Sequence, residues 1–227
     1  MKRIAVLFEN EDCIILNKPA GLAVQGGEGV GASLDVILAE EWEERPLLVH
    51  RLDKDTSGVI LAAKNRAAAA RFSQLFARRG GLGGGKEAGV RKLYRAVCAG
   101  RLEKESGIIR VNLDIRGESR FSETGYVRLD GEKLAGDGAR EFSVLELELG
   151  TGRMHQIRRH LAHIGHPVLG DDKYGDFALN RELRKSRGLR RLLLHASRLV
   201  INEAALGYGI DVTAPLPEYF EGWSQKP

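Results

Sequence analysis

The sequence predicts an α+β fold made of a single domain over residues 1–227. Apolar runs of strand length recur along the chain, and helical patterns stand between some of them. Neither a linker-like stretch nor an internal repeat divides the sequence. Hydrophobic residues make up 43% of the 227 residues, so the chain is able to bury a core without disulfides or metals.

The first half of the chain predicts strands and helices in alternation. Ile4–Phe8 and Cys13–Leu16 are apolar runs on either side of a polar turn, which is typical of a β-hairpin. Ser33 and Asn65 are each placed as the N-terminal cap of a helix, where a side-chain oxygen accepts from a free amide. The further elements expected are helices over about 34–44 and 66–78 and strands over Leu47–Val49, Val59–Ala63 and Lys92–Ala99.

The second half carries patterns of unequal strength. Residues 106–135 are rich in glycine and charge with weak periodicity, which predicts short strands and loops. Glu141–Leu149 alternates apolar and polar residues as a half-buried strand does. Thr151 is placed to cap a helix that Gly165 ends. The remaining predicted elements are a strand over Leu192–Ile201 and a short helix after Pro217.

Charge is mildly basic, with a net value of +4, and it is clustered. Six basic residues stand against one acidic residue in 181–191, and Arg153, Arg158 and Arg159 form a second group beside histidines. A basic cluster favours a nucleic-acid partner, although a solvated helix face has the same composition. The run 181–191, with Arg184 and Lys185, is therefore interpreted as a candidate polyanion-binding segment.

Several classes of protein are disfavoured. Cys13 and Cys98 show neither a disulfide framework nor a zinc-ribbon spacing, so reduced thiols in a cytoplasmic protein are expected. No apolar run has the length of a membrane span, and no signal peptide is recognisable. The histidines at 155, 160, 163 and 166 lack a cysteine or carboxylate to complete a convincing metal site, so no metal is expected.

The stretch from His50 to Gly58 is the candidate reactive loop. It lies between two predicted strands and carries the carboxylates Asp53 and Asp55 among basic neighbours. One interpretation is that a carboxylate acts on a substrate whose negative charge the basic residues hold. The other is an ordinary turn, since aspartate, threonine, serine and glycine all favour turns.

Two segments are similar to familiar catalytic or binding motifs but lack features that those motifs require. Asp55-Thr56-Ser57-Gly58 is similar to the loop of aspartic proteases, but those enzymes need two such loops and no second copy occurs. Gly80-x4-Gly85-Lys86 imitates a phosphate-binding P-loop, yet it follows a predicted helix and Glu87 replaces the serine or threonine. The segment 80–89 is interpreted as a flexible loop.

Four segments resemble motifs of the RluA-type RNA pseudouridine synthases, in the order found in that family. A fifth, weaker resemblance is Leu193-Leu194-His195-Ala196. The four are Ile14–Gly21 with its Lys18-Pro19-x-Gly21 motif, His50–Gly58 with the catalytic motif, Lys92–Val97 with the tyrosine strand, and Leu149–Arg158 with the arginine motif.

The resemblance implies a central bent mixed sheet, mainly antiparallel, flanked by helices and loops. It implies isomerisation of uridine in RNA to pseudouridine, a reaction that needs no cofactor. Asp53 would be the nucleophile, Arg153 its pairing partner and Tyr94 the ring that packs on the target uracil. From the residues alone, Tyr94 also fits a core tyrosine and Arg153 a solvent-facing arginine.

A target uridine inside a stacked helix has to be flipped out before it reacts. Arg51 is expected to fill the gap left by the base or to contact the neighbouring phosphate. The remaining candidate RNA contacts are Lys18, His50, Arg158, Arg159, Arg184 and Lys185.

Within the family, Gly26-Gly27 and the segment Gly175–Arg181 are most similar to the RluC-type enzymes of large-subunit ribosomal RNA. Those enzymes usually carry an N-terminal S4 domain, which is not expected here, so tRNA stays an alternative substrate and a monomer is expected. A non-catalytic RNA-binding protein on the same fold is the other alternative. The joint presence of Asp53, Tyr94 and Arg153 disfavours it.

Overall fold

The computed structural model describes residues 4–27, 32–77, 82, 89–129 and 141–223. These residues belong to two compact units. Unit 1 comprises Met1–Lys92 and Ala196–Pro215, and unit 2 comprises Leu93–His195 and Leu216–Pro227.

The elements follow one another in the order expected for an α+β chain. The strands are β1 (Ala5–Glu9), β2 (Cys13–Lys18), β3 (Leu47–Leu48), β4 (Ser57–Ala63), β5 (Val90–Ala99), β6 (Ser106–Ile115), β7 (Glu118–Arg128), β8 (Phe142–Leu149), β9 (Leu194–Ile201) and β10 (Ile210–Thr213). The helices are α1 (Leu34–Glu41), α2 (Arg66–Ala77), α3 (Gln156–His163), α4 (Phe177–Ser186) and α5 (Glu203–Leu206), followed by a 3-10 turn at Glu218–Phe220.

Unit 1 is built around two largely apolar strands. β2 pairs antiparallel with β1 and with β4, and every residue of β4 is buried. Buried central strands read as continuous apolar runs, which is why their patterns were recognisable in the sequence. The side chain of Asn65 accepts from the amide of Ala68 at 2.8 Å and caps α2, as predicted. Helix α2 then packs Phe72 and Leu75 into the same core.

Unit 2 contains an antiparallel sheet in the strand order β5-β8-β7-β6, in which β6, β7 and β8 are consecutive and β5 lies beside β8. Leu93–Ala99 of β5 pairs in continuous register with Phe142–Glu148 of β8. Helices α3 and α4 also belong to this unit, and Leu179 and Leu183 of α4 lie in its core.

The α+β prediction is confirmed, but the prediction for residues 106–135 is wrong over the part that the structure describes. β6 and β7 are long strands that form a regular hairpin. Arg116 and Gly117 form its two-residue loop with φ values of 57° and 81°, the left-handed geometry that hairpin loops favour. The periodicity was weak because Ile109 and Leu113 are the only apolar side chains in β6 that are fully buried.

The segment 80–89, which imitates a P-loop, lies outside the described residues except for Leu82 and Gly89. Among the described residues, no helix has both the length and the apolar character needed to cross a membrane.

Candidate active site

Unit 1 holds the loop that carries Asp53. Leu52 is buried before it, and Thr56 and Ser57 are buried after it, so both ends of the loop are fixed in the core. Between them Asp53 and Asp55 are half-buried. The amide of Thr56 donates to the carbonyl oxygen of Asp53 at 3.2 Å, which closes a tight turn. The fold therefore presents two carboxylates on a short segment with anchored ends.

Gly58 ends the loop at a position that only glycine suits. Its φ is +111°, and a Cβ atom there would lie 2.7 Å from the carbonyl carbon of Ala196 in β9. Real side chains do not tolerate so close an approach to backbone, so the glycine lets β4 and β9 meet.

Lys18 is a buried anchor of the loop. Its side chain is fully buried, and its Nζ donates to the carbonyl oxygens of Pro19, Leu22 and Lys54 at 3.0, 2.8 and 2.9 Å. Burial lowers the pKa of Lys18 to about 8, although the charges of Asp55 and Asp53 act in the opposite direction.

This geometry argues against the phosphate contact expected for Lys18, because three carbonyl oxygens already use its three donors. Its role is to tie the end of β2 to the loop at Lys54. The same carbonyl oxygen of Lys54 accepts from the amide of Gly21 at 2.9 Å.

His50 is a second anchor of the loop. Its Nε2 accepts from the amide of Leu61 at 2.9 Å, and its ring stacks on Phe76 with centroids 4.3 Å apart. Burial, with a smaller contribution from the charge of Lys92, lowers the pKa of His50 to about 3. The imidazole is therefore neutral at pH 7, which argues against the RNA-phosphate contact expected for it. Arg51, which follows it, is exposed and remains a candidate RNA contact.

Unit 2 holds Tyr94 in β5. The residue is 8% exposed and pairs with Leu147 of β8, which in turn pairs with Tyr126 of β7. Unit 2 also holds Arg153, on the segment between β8 and α3. The Nε of Arg153 lies 3.4 Å from the carbonyl oxygen of Phe121 in β7, and the side chain is half-buried.

Gln156 fixes the segment that carries Arg153. Its Oε1 accepts from the Oγ1 of Thr151 at 2.6 Å and from the amide of Arg153 at 3.0 Å. Its Nε2 donates to the carbonyl oxygen of Glu123 and to the Oγ1 of Thr124, both at 2.9 Å. A buried glutamine with partners for both ends of its amide joins the segment firmly to β7.

The predicted helix start at Thr151 is wrong. Helix α3 begins at Gln156, and the residue before it, His155, has a left-handed backbone with φ of 54°. The Oγ1 of Thr151 accepts from the amide of Glu123 at 3.0 Å instead of capping a helix. The predicted end at Gly165 is confirmed by its φ of 82°.

Arg158 forms a buried ion pair. Its Nε and Nη2 each lie 2.7 Å from an oxygen of Asp171, and its Nη2 is also 3.1 Å from Asp172. The side chains of Arg158 and Asp171 are 6% and 0% exposed. Burial alone would raise the pKa of Asp171, but hydrogen bonds from Arg158, Tyr174 and Lys173 outweigh it and lower that pKa.

Because its guanidinium is buried against carboxylates, Arg158 does not fit the RNA-backbone contact expected from the sequence. Asp171 was not singled out in the sequence, and nothing in its neighbourhood there marked it as the partner of an arginine 13 residues earlier.

The other basic candidates are more accessible. Arg159 is half-buried and donates from Nη1 to the carbonyl oxygen of Asp114 at 2.9 Å. Arg184 and Lys185 are exposed in the last turn of α4. His160 is buried with its Nε2 2.7 Å from the Oγ of Ser122. Within the described residues, no group of three or more His, Cys, Asp or Glu side chains is placed to hold a metal.

Comparison with known proteins identifies the family. The family model for RNA pseudouridylate synthase matches residues 12–163. Ribosomal large subunit pseudouridine synthase C of Rickettsia felis is 35% identical over 223 residues, covering 95% of this chain and 68% of the relative. The protein of that name in Escherichia coli K12 is 33% identical over 240 residues, covering 97% and 69%.

Solved structures agree on the fold. Human RNA pseudouridylate synthase domain containing 1 is 27% identical with a TM-score of 0.71, covering 94% of this chain and 84% of that one. Human RNA pseudouridylate synthase domain containing 4 has a TM-score of 0.74 at 24% identity, covering 96% and 90%.

These matches define an enzyme class that modifies RNA. The chain belongs to the RNA pseudouridylate synthase family, and the resemblance identified in its sequence is confirmed.

Proposed function

We propose that this chain converts uridines of large-subunit ribosomal RNA to pseudouridine, with Asp53 as the nucleophile. The observation that carries the proposal is the clamped loop of unit 1. Lys18 and His50 hold it through Lys54 and Leu61, while Asp53 stays half-exposed between its buried ends. A reactive carboxylate has to be presented on a rigid support, and this loop provides one.

The reaction breaks the bond between uracil N1 and ribose C1′ and joins C1′ to C5 of the same base. A proton leaves C5 and one is gained at N1, so no group is lost and no redox partner is required. Asp53 acts as an ionised carboxylate, either by attack at C1′ or at C6 of the base or by promoting a glycal-type elimination. The charges of Asp55 and Asp53 act to raise the pKa of Lys18 against the effect of its burial, so the two carboxylates favour the charged form of this lysine.

Tyr94 and Arg153 are proposed to serve the same reaction. A tyrosine ring offers a flat surface for the uracil, and its hydroxyl is a candidate to receive the C5 proton. Arg153 carries a positive charge, and the family resemblance makes it the proposed partner of the nucleophile. If these residues act as a unit with Asp53, the double variant Asp53→Asn/Arg153→Ala loses no more turnover than Asp53→Asn alone.

Large-subunit ribosomal RNA is the proposed substrate because the relatives from Rickettsia felis and Escherichia coli are named for it. Modification of tRNA is the second candidate. We further propose that residues 1–227 act as one catalytic domain, as a monomer in the cytoplasm. A molar mass near 25.0 kDa in multi-angle light scattering is expected for that monomer.

Mapping of pseudouridines in total RNA tests the substrate. Cells lacking the gene are expected to lose pseudouridine at defined large-subunit sites, and a plasmid copy is expected to restore them. Loss confined to tRNA would select the second candidate, and an unchanged map would refute the proposal.

A further inference from the structure

Helix α4 of unit 2 is fixed by its inner face. Leu179 and Leu183 lie in the apolar core, and the carboxylate of Asp176 caps the helix by accepting from the amide of Leu179 at 2.9 Å. Asn180 adds two bonds at its amide: its Oδ1 accepts from Gly170 at 2.9 Å and its Nδ2 donates to the carbonyl of Asp171 at 3.0 Å. The outer face of the helix is therefore held in one orientation.

The outer face carries an aromatic ring followed by basic side chains. Phe177, Arg181 and Lys185 are four residues apart, which places them along one line on a helix, and Arg184 lies beside that line. We call these four residues the α4 stripe. All four are exposed, and Phe177 at 57% is more exposed than any other large apolar residue in the described chain. Glu182, the acidic residue of α4, lies three residues before Lys185 and sets one negative charge against the three positive charges of the stripe.

Among the described residues, the apolar core of unit 2 takes Leu179 and Leu183 from α4 and does not include the side chains of the α4 stripe. Arg181, Arg184 and Lys185 are all exposed, and like charges three and four residues apart repel one another. An exposed phenylalanine at the first helical position adds neither capping nor core packing. A ring that is open to solvent beside three exposed cations is suited to a ligand with flat bases and negative charge.

The α4 stripe is connected to the segment that carries Arg153. The Nδ1 of His155 lies 3.1 Å from the hydroxyl of Tyr174, and the rings make an edge contact with centroids 5.6 Å apart. The ammonium of Lys173 lies 5.6 Å from the ring of Tyr174. Phe177 follows Tyr174 by three residues, so the stripe starts close in the chain to a tyrosine that contacts the segment of the proposed catalytic arginine.

We propose that the α4 stripe binds a single-stranded stretch of the substrate RNA beside the modified uridine. An unpaired base stacks on Phe177, and Arg181, Arg184 and Lys185 neutralise the phosphates of the adjoining nucleotides. This rests on the proposed function for its RNA partner, and it adds that the enzyme reads an unpaired flank. Duplex RNA does not suit the stripe, because its bases are not available to a ring.

Binding of labelled oligouridylate by the full-length chain, measured by fluorescence anisotropy over a series of salt concentrations, tests the proposal. Phe177→Ala is expected to weaken binding at least about 5-fold with an unchanged salt dependence, while Phe177→Tyr retains affinity. Arg181→Ala/Lys185→Ala is expected to reduce the slope of log K against log salt by about 1.4. Lys104→Ala, at an exposed position of unit 2 outside α4, is the control and should change neither quantity.

Competitors and melting curves complete the test. A matched RNA duplex and polyglutamate should compete poorly with oligouridylate, and the melting temperatures of all variants should equal that of the wild type because the substituted side chains are exposed. The proposal is overturned if Phe177→Ala binds like the wild type, if the slope is unchanged in the double variant, or if polyglutamate competes as well as RNA.

The outcome separates this inference from the proposed function. Asp53→Asn should bind oligouridylate normally. If Asp53→Asn abolishes pseudouridine formation while the α4 variants bind like the wild type, the RNA-binding role of the α4 stripe is refuted and the catalytic proposal stands. If the α4 variants lose binding but Asp53→Asn stays active, the catalytic proposal fails and the stripe remains.

Discussion

The buried pair of Arg158 and Asp171 gives a prediction that separates a structural role from an RNA contact. In Arg158→Met the methionine replaces the apolar stem but leaves the carboxylate of Asp171 buried without its guanidinium. Breaking a buried pair by removing one partner costs about 3–5 kcal/mol of unfolding free energy. For a chain of this size, each kcal/mol lowers the melting temperature by about 2–4 °C, so a decrease of roughly 6–20 °C is expected.

The double variant Arg158→Met/Asp171→Leu tests whether the loss of stability comes from the unpaired charge of Asp171. Removing both charges together is often close to neutral. The carboxylate of Asp171 also accepts from the amides of Lys173 and Tyr174, each at 2.9 Å, and losing these two bonds costs about 2 kcal/mol. The double variant is therefore expected to be more stable than Arg158→Met, which is the reverse of what independent substitutions would give.

Urea unfolding measures the stability of the three proteins, and anisotropy with oligouridylate measures RNA binding at several salt concentrations. The salt slope of Arg158→Met should equal that of the wild type. An unfolding free energy within 1 kcal/mol of wild type, together with a slope reduced by about 0.7, would refute the structural role and restore Arg158 as a phosphate contact.

Three further predictions concern the supports of the site. Gln156→Met is expected to lose about 2–4 kcal/mol of unfolding free energy, from four hydrogen bonds, and to lower kcat in steady-state assays because the segment of Arg153 is released. Gly58→Ala is expected to cost at least about 2–3 kcal/mol in urea unfolding, because its Cβ meets the backbone of β9. Stability should also fall between pH 6.5 and about 4, by up to about 1.4 kcal/mol per pH unit for each of His50 and His160. Their folded pKa values, about 3 and 4, lie below the ordinary 6.5, so the unfolded chain takes up protons first.

Each of these predictions has a control. Gly117 has a positive φ as Gly58 does, but a Cβ added there would have no atom within 4 Å. Gly117→Ala should therefore cost only about 1 kcal/mol of unfolding free energy. Equal losses at Gly58 and Gly117 would remove the steric explanation. His50→Gln should flatten the pH dependence, and an unchanged profile would contradict it. Normal kcat in Gln156→Met would show that this glutamine does not position Arg153.

The loop that is proposed to be reactive was recognisable in the sequence because local signals define it. The apolar runs before and after His50–Gly58 predicted strands, and β3 and β4 are found there. Turn-forming residues then marked the loop between them. Resemblance to a family, which the comparisons confirm, selected Asp53 over Asp55 as the proposed nucleophile.

The roles of the basic residues were not accessible in the same way, because residue type gives charge but not partners. Lys18 contacts a carbonyl 36 residues away, His50 an amide 11 residues away and Arg158 a carboxylate 13 residues away. In each case the side chain predicted to contact phosphate is used in a contact within the protein, which argues for a structural role. Arg184 and Lys185 are exposed, so they stay candidates for contact with the RNA backbone.

The central claim is that Asp53 is the nucleophile, and single-turnover formation of pseudouridine tests it most directly. The substrate is large-subunit ribosomal RNA from cells lacking the gene, with Asp55→Asn as the matched control from the same loop. Asp53→Asn is expected to form no detectable pseudouridine while it keeps the melting temperature and RNA affinity of the wild type, and Asp55→Asn is expected to retain turnover. Normal turnover by Asp53→Asn, or loss of turnover in Asp55→Asn alone, would contradict the assignment.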